Sequence, residues 1–306
     1  MKRQRRNGLP DGRRRARHLK PNERHGAFFA PLLVTVHPAT REVRASRFWG
    51  SFAATWLYDL HYTLLAGEPG RWVVGAVGLL LVGSLVSGLL LWWPSARQRR
   101  AASRFKRGAA PQRRTFDLHK LAGIYGLVVL GTLAVTGTVL ALPEVFEPAI
   151  ARLSAPLVVP PPRSAEPMPG RLPITLDAAL RSAQDHFPQA TARWVDTPAD
   201  PRGTFRVRLR QPGEPSRRFP RTLVWVDAYS AEVLAVRDAK QQGLGDAVLA
   251  WMHPLHNGEA FGMPGRVIAC LGGLLPLWLA VTGLMRWQDR RVARRAATSR
   301  ALSARA

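Results

Sequence analysis

The chain of 306 residues has a single cysteine, Cys270. No intramolecular disulfide and no cysteine-rich metal centre can therefore form within it. Acidic residues are also scarce, 20 against 45 Lys and Arg, which gives a formal charge of +25. Such a balance ordinarily points to nucleic acid or to an anionic membrane surface. No Gly-x-Gly-x-x-Gly opens a helix, so a dinucleotide fingerprint is lacking. Charge of either sign is missing altogether from residues 72–93, 121–142 and 267–285. That last absence decides the class.

A helix needs about 20 apolar residues to cross roughly 30 Å of hydrocarbon, and each uncharged stretch is close to that length. The basic residues lie between the stretches, at 1–24, 96–114 and 286–305, and cancel them in a mean hydropathy of −0.10. The expected fold class is a membrane α-helical protein with three transmembrane helices, not a soluble binder of nucleic acid. Orientation follows from the excess of Lys and Arg in short cytoplasmic loops. Between Pro94 and Asp117 stand Arg97, Arg99, Arg100, Arg104, Lys106, Arg107, Arg113 and Arg114 against one acid, while the long segment 143–262 balances its charges. The loop and the C-terminus are therefore expected inside and the long segment outside. Trp72, Trp92, Trp93 and Trp287 mark span ends. The first 24 residues carry ten Lys and Arg and no apolar run that could serve as a signal peptide. An odd number of spans would place this basic start outside, so the reading predicts a further span upstream and a disordered or non-native start over 1–31.

An internal repeat supports this reading. A shift of 195 residues matches Leu60, His61, Gly67, Pro69, Gly70 and Arg71 to Leu255, His256, Gly262, Pro264, Gly265 and Arg266, and carries on to Gly88 with Gly283 and Trp92 with Trp287. A shift of 190 matches Val34, Val36, Glu42 and Val43 to Val224, Val226, Glu232 and Val233. The second copy of this segment alternates apolar and polar residues around a polar turn and predicts a β-hairpin. Upstream of it the pattern predicts a helix from about Leu176 to Phe187 capped by Thr175, then strands near 192–195 and 204–210. Helix and antiparallel strands make a small α+β module. The first copy keeps only the hairpin. Seven prolines between Pro156 and Pro173 read as an extended linker.

His18, His25, His37 and His186 occupy tail, turn and helix-end positions and read as surface residues. His61, His119, His253 and His256 border the spans, where an ionisable group is a functional candidate by default. His61 and His256 share one repeat position, so two related copies could present their imidazoles to opposite faces of one bound group. Bis-imidazole ligation of a b-type haem suits that pattern, with both rings axial to the iron; interfacial histidines hydrogen-bonded to loop carbonyls are the alternative. A lone metal ion suits it less, since Asp59 and Glu259 are the only carboxylates nearby. His119 opens the second span with Gly123, Gly126 and Gly137 on its face at helical spacing, which leaves room for a flat macrocycle or for close helix packing. His253 has Tyr58 as its repeat counterpart and ranks below His256.

At these residues the sequence resembles the PepSY-associated transmembrane helix family, which includes iron-regulated membrane proteins and ferric-siderophore reductases of Gram-negative bacteria. The resemblance is carried by Leu60-His-Tyr-Thr-Leu-Leu-Ala-Gly67, Ser87-Gly-Leu-Leu-Leu-Trp-Trp-Pro94, Phe116-Asp-Leu-His119 with Thr136-Gly137, Val226-Asp-Ala-Tyr-Ser-Ala-Glu-Val-Leu234, and Pro254-Leu-His256 with Pro264-Gly-Arg266 and Thr282-Gly283. It implies four spans, two periplasmic PepSY modules, of which this sequence keeps one PepSY-like module and a remnant, and two b haems in the reductase members, with His61 and His256 as axial iron ligands on the periplasmic side and His119 as a cytoplasmic-side ligand. The cytoplasmic partner of His119 would stand on a first span that this sequence does not contain, so one haem b is expected and the second is in question. The resemblance further implies a multi-pass protein of the bacterial inner membrane that reduces a ferric siderophore or similar complex, supplied with electrons by quinone or a protein. The rival expectation is a non-catalytic PepSY protein that binds peptide or restrains a protease, or an inactive truncated copy. The domain reading is a basic start at 1–31, a remnant hairpin at 32–50, an amphipathic helix and first span at 51–93, a basic loop at 94–117, a second span at 118–142, a linker at 143–173, the PepSY module at 174–250, the histidine motif and third span at 251–288, and a basic tail at 289–306.

Overall fold

The computed structural model describes residues 31–98, 102–167 and 170–303. The basic start, with His18 and His25, lies outside the described residues, as do Arg99 and Arg100. The chain divides into two compact units at Leu80 and Leu81.

The first unit opens with an antiparallel hairpin, β1 (Leu32–Val36) and β2 (Val43–Phe48), with a register shift between Thr35 and Val36. Helix α1 (Ala53–Thr63) follows, and Trp49 Nε1 donates to its Asp59 Oδ1 at 2.8 Å. After a short turn, α2 (Gly67–Trp92) begins and runs on past Leu80. Gly67 has φ 61°, a conformation that glycine adopts without steric cost. At Gly70 any β-carbon would collide with the carbonyl of Thr63, so the two helices meet backbone to backbone.

In the second unit, α3 (Pro111–Tyr125) and α4 (Leu127–Ala141) are separated by Gly126 and inclined at 63°. The straight second span expected from composition is therefore bent. A β-carbon at Gly126 would stand 2.5 Å from Leu275 Cδ1, so glycine at the break lets a neighbouring helix press against the backbone. Helix α5 (Pro143–Ile150) leads into the proline-rich segment, and α6 (Leu176–His186) starts the soluble module with Thr175 Oγ1 accepting from Ala178 N at 3.2 Å. The module's sheet is an antiparallel meander of β3 (Thr191–Asp196), β4 (Phe205–Arg210), β5 (Thr222–Val226) and β6 (Val233–Arg237). Along β4, Phe205, Val207 and Leu209 are buried under Ala179 and Ala183 of α6, and the intervening arginines face the other way. This is the period-two pattern of a sheet with one covered face.

Helix α7 (Leu244–His256), α8 (Gly262–Gly272) and α9 (Leu275–Ser303) complete the chain. Among the described residues two helices are long and apolar enough to cross a membrane, α2 and the run from Glu259 to Ser299, and the bent α3–α4 pair makes a third if it is counted as one span. The spans leave large apolar side chains exposed, among them Leu91 at 90 % and Val128 at 78 %, as lipid-facing helices do. The turn before α8 repeats the one before α2. Gly262 has φ 65°, and a β-carbon on Gly265 would meet the carbonyl of Gly258, which is the residue equivalent to Thr63.

The module holds α7 at both ends. At its start, Asp246 forms a buried 2.8 Å ion pair with Arg237 of β6, and its second oxygen accepts from Leu157 N at 2.7 Å. Just beyond its end, buried Glu259 accepts from Ser216 Oγ at 2.7 Å and from Arg217 N at 3.2 Å, both on the β4–β5 loop. Removing one partner from such a buried charge costs about 3–5 kcal/mol. The helix that carries His256 is thus fixed to the sheet.

Candidate functional site

His256 ends α7 and its ring lies on α4. Nδ1 is 3.1 Å from Thr136 Oγ1 and 3.1 Å from the carbonyl of Leu133. The Thr136 hydroxyl hydrogen is directed to the carbonyl of Thr132, at 2.6 Å, so its oxygen faces the imidazole as an acceptor. With two acceptors around it, Nδ1 carries the proton and Nε2 carries the lone pair. A β-carbon on Gly137 would stand 2.7 Å from His256 Cε1, so the ring occupies the space that any other residue would fill.

His119 is held in the same way by α9. Nδ1 is 2.9 Å from Thr282 Oγ1, and the Leu279 carbonyl also accepts from the ring. Thr282 donates to the Trp278 carbonyl at 2.8 Å, and a β-carbon on Gly283 would come 3.5 Å from His119 Cε1. His119 therefore has the tautomer of His256, with a lone pair on Nε2. Fixing the far nitrogen by hydrogen bonds is how proteins orient a ligating histidine and set its basicity.

His119 opens on a cavity of about 710 Å³ between α2, α3 and α9, lined by residues 81–92 of α2 together with Phe116, Lys120, Gly123, Leu279, Arg286 and Arg290. The volume is in the range of small-molecule and cofactor sites. Two glycines keep it wide. A β-carbon on Gly88 would have no neighbour within 4 Å, and one on Gly123 would meet only Leu279 Cδ2, at 3.9 Å. Gly137, expected on the His119 face, lies instead against His256, because the bend at Gly126 turns α4 away from the line of α3. Two donors in the cavity wall, Trp92 Nε1 and Arg286 Nη1, are buried with no acceptor among the described residues. Each such unmade bond costs about 1–3 kcal/mol. The Arg286 guanidinium carbon lies 4.0 Å from the Phe116 ring centroid, and Lys120 pairs with buried Asp117 at 3.0 Å.

The other histidines differ. His253 Nδ1 lies 3.2 Å from Asn257 Nδ2, and Asn257 Oδ1 accepts from Glu259 N at 2.9 Å, which fixes the amide with its nitrogen toward the ring. His253 Nδ1 thus accepts a hydrogen bond and Nε2 carries the proton, the reverse of His256. Its ring packs edge-on to Phe219 at 4.6 Å, and burial holds its pKa below the usual histidine value. His61 lies in the last turn of α1, in the first unit. His37 accepts from Thr40 N at 3.0 Å in the β1–β2 turn, and His186 ends α6 on the surface. Asp59 and Glu259, the candidate carboxylates, are engaged by Trp49 and by Ser216.

The sequence carries a signal for the two histidine cradles that pattern reading did not use. Leu-Ala-Val-Thr-Gly occurs twice, at 133–137 in α4 and at 279–283 in α9. Its Leu carbonyl, Thr hydroxyl and bare Gly surface are the three features that hold each ring. Trp92, Arg286, Lys120 and Arg290 gave no signal of a shared wall, since each reads as an ordinary interfacial or cytoplasmic-side residue.

Comparison with known proteins agrees with this architecture. An uncharacterized protein of Pseudomonas aeruginosa, PA4219, is 29% identical over 253 residues, which is 77% of this chain and 63% of that protein. The chain therefore spans just under two thirds of the length of this relative. The family model for the PepSY-associated TM region matches residues 3–290. The chain, with its duplicated hairpin-and-span unit and membrane helices around a small antiparallel sheet, belongs to the PepSY-associated TM region family.

Proposed function

We propose that the protein is a haem-b-carrying electron-transfer protein of the bacterial inner membrane, which reduces ferric complexes such as siderophores on the periplasmic face. The reading is carried by one observation: two imidazoles, His119 and His256, are each oriented by the same Leu-x-x-Thr-Gly cradle with the lone pair on Nε2. Hydrolytic chemistry would ask for a carboxylate or an activated nucleophile beside such a ring, whereas each cradle offers a threonine hydroxyl whose proton is committed to a helix carbonyl. The residues around His119 fit a tetrapyrrole, since the cavity is of cofactor size, largely apolar and relieved of side chains at Gly88 and Gly123. On the periplasmic side His256 would hold the haem, and by the duplication so would His61; on the cytoplasmic side His119 would hold it. Bound haem would supply one-electron transfer.

The chain's own part is to orient each imidazole, to exclude water from the ligating nitrogen and to set its basicity. The soluble module, fixed to α7 through Arg237–Asp246 and Glu259–Ser216, keeps His256 in place. The basic loop 94–117 and the C-terminus face the cytoplasm, and the module lies in the periplasm, by the distribution of Lys and Arg. Electrons arrive from quinone or a protein donor. Ferric iron leaves hard oxygen chelators once reduced because the ferrous ion binds them far less well.

A reduced-minus-oxidised spectrum of the full chain, purified from haem-replete cells into lipid nanodiscs, tests the reading. A b-type band is expected, and His119→Ala and His256→Ala should each remove part of it, with the double variant colourless. A wild-type chain with no b-type band would leave a membrane-anchored PepSY module that binds peptide, the reading that the exposed β1–β2 hairpin favours.

A further inference from the structure

Two of the four buried polar atoms that lack a partner among the described residues, Trp92 Nε1 and Arg286 Nη1, belong to the wall of the His119 cavity. An indole and a guanidinium can only donate. A group that satisfies them has to be an acceptor. The charged residues lining this cavity are Lys120, Arg286 and Arg290, all cationic, and no carboxylate lines it. Asp117, the nearby acid, already serves Lys120, Arg113 and the Lys106 N–H. Lys120 is paired with Asp117 and Asp289 lies near Arg286, but Arg290 and the open Arg286 Nη1 meet no carboxylate in the cavity wall, so an anionic acceptor suits the donors better than a neutral one. The remaining wall is leucine-rich and includes Leu85, Leu89 and Leu279. A wall of this composition suits an anionic amphiphile.

We propose that Trp92, Arg286, Lys120 and Arg290 form a carboxylate-binding end of the His119 cavity, which grips the two acid side chains of the tetrapyrrole. The assignment rests on the haem reading above and adds to it the residues that select an acidic macrocycle. Arg286 is suited to the role because its planar fork binds carboxylate in two parallel bonds, and its stacking on Phe116 holds the fork at one orientation. Trp92 contributes a single directed N–H. The pocket would accordingly discriminate by charge at one end and by shape along its length.

The test uses the full chain in nanodiscs of zwitterionic lipid, in a background with both His61→Ala and His256→Ala so that only the His119 cavity contributes. Haem and haem dimethyl ester are titrated in parallel and followed by the Soret band. Haem is expected to bind at least tenfold more tightly than its ester, and Arg286→Met and Trp92→Phe should weaken haem about tenfold and threefold while leaving ester affinity unchanged. Unchanged ester binding also shows that the variants are folded. Equal affinity for acid and ester, or an equal loss for both in the variants, would overturn the assignment but leave haem binding standing. No binding of either compound, with no effect of His119→Ala, would overturn both. Replacing half the lipid by phosphatidylglycerol separates the two sources of an anionic headgroup. If it weakens haem binding to the wild type and not to Arg286→Met, the donors belong to a lipid phosphate and the assignment falls.

Discussion

The chain contains one hairpin design in two settings. In β1–β2 and β5–β6 the register shift falls at the same step, before Val36 and before Val226. The turns close with His37 N donating to Glu42 O at 2.9 Å and Asp227 N donating to Glu232 O at 2.8 Å. Arg41 and Ala231 hold matching left-handed conformations, with φ of 60° and 64°. Even the cap corresponds, since His37 Nδ1 accepts from Thr40 N where Asp227 Oδ1 accepts from Ser230 N. Yet Val34 and Val36 are about half exposed, and Val224 and Val226 are fully buried. Turn geometry is therefore a local property of about six residues, whereas burial is supplied by β4 and α6, which only the second copy has among the described residues.

The contrast can be broken from the apolar side first. Val224→Asp places a charge in the module's core, and we expect a loss of more than about 4 kcal/mol, enough to leave the module unfolded. Val34→Asp, on the exposed hairpin, should change stability by less than about 0.5 kcal/mol. Thermal melts of the purified chain, with limited proteolysis to locate the unfolded part, would compare the two. Similar losses at both positions would mean that the first hairpin is also covered.

A smaller effect is expected from the caps. Burial works against the charged form of Asp227, but N–H groups of Ala165, Ser230 and Tyr229 outweigh it and hold its pKa below the ordinary aspartate value of 3.8. Asp227→Ala should cost about 2 kcal/mol and His37→Ala less than about 1 kcal/mol. The folded carboxylate resists protonation more than the unfolded one. The stabilisation from Asp227 is therefore complete above pH 3.8 and is lost as pH falls through the lower folded value. Melts at pH 7 should separate wild type from Asp227→Asn, and the gap should close as pH falls below 3.8.

The smallest effect sharpens the comparison at the span border, where His253 stands opposite Tyr58 in the repeat. Burial is the chief cause that holds His253 below its usual 6.5, with Glu259 opposing and Arg218 assisting. In the window below pH 6.5 the unfolded chain binds the proton more readily than the folded one, so stability is complete above 6.5 and declines as pH falls toward the folded value. His253→Tyr should remove that decline between pH 7 and pH 5. If both proteins show the same slope, another group titrates there.

Much of this architecture is legible in the residues. The strand expected near 204–210 is found at Phe205–Arg210, and Thr175 followed by an amphipathic run gave α6 with its cap. The repeat matched Gly67 to Gly262, and the structure shows why both are glycine, with φ of 61° and 65° in the turns before α2 and α8. The break at Gly126 was not legible. Nothing in a uniform apolar run distinguishes a straight helix from a bent one when no proline marks the place, and Gly126 reads as one of three glycines on a face. The histidine cradles were hidden for a related reason. Thr136 and Thr282 lie in the apolar runs and pattern as span residues, and only the partner on another helix shows that each threonine serves an imidazole.

The bend between α3 and α4 also separates two duties along one stretch of chain. The lower rod answers to α9 and the upper rod to α7, so each half has its own histidine neighbour and its own fit to maintain. A straight rod would transmit any shift at one end to the other. With an elbow at Gly126, each half keeps its own packing partner, and the joint itself is where Leu275 rests on bare backbone.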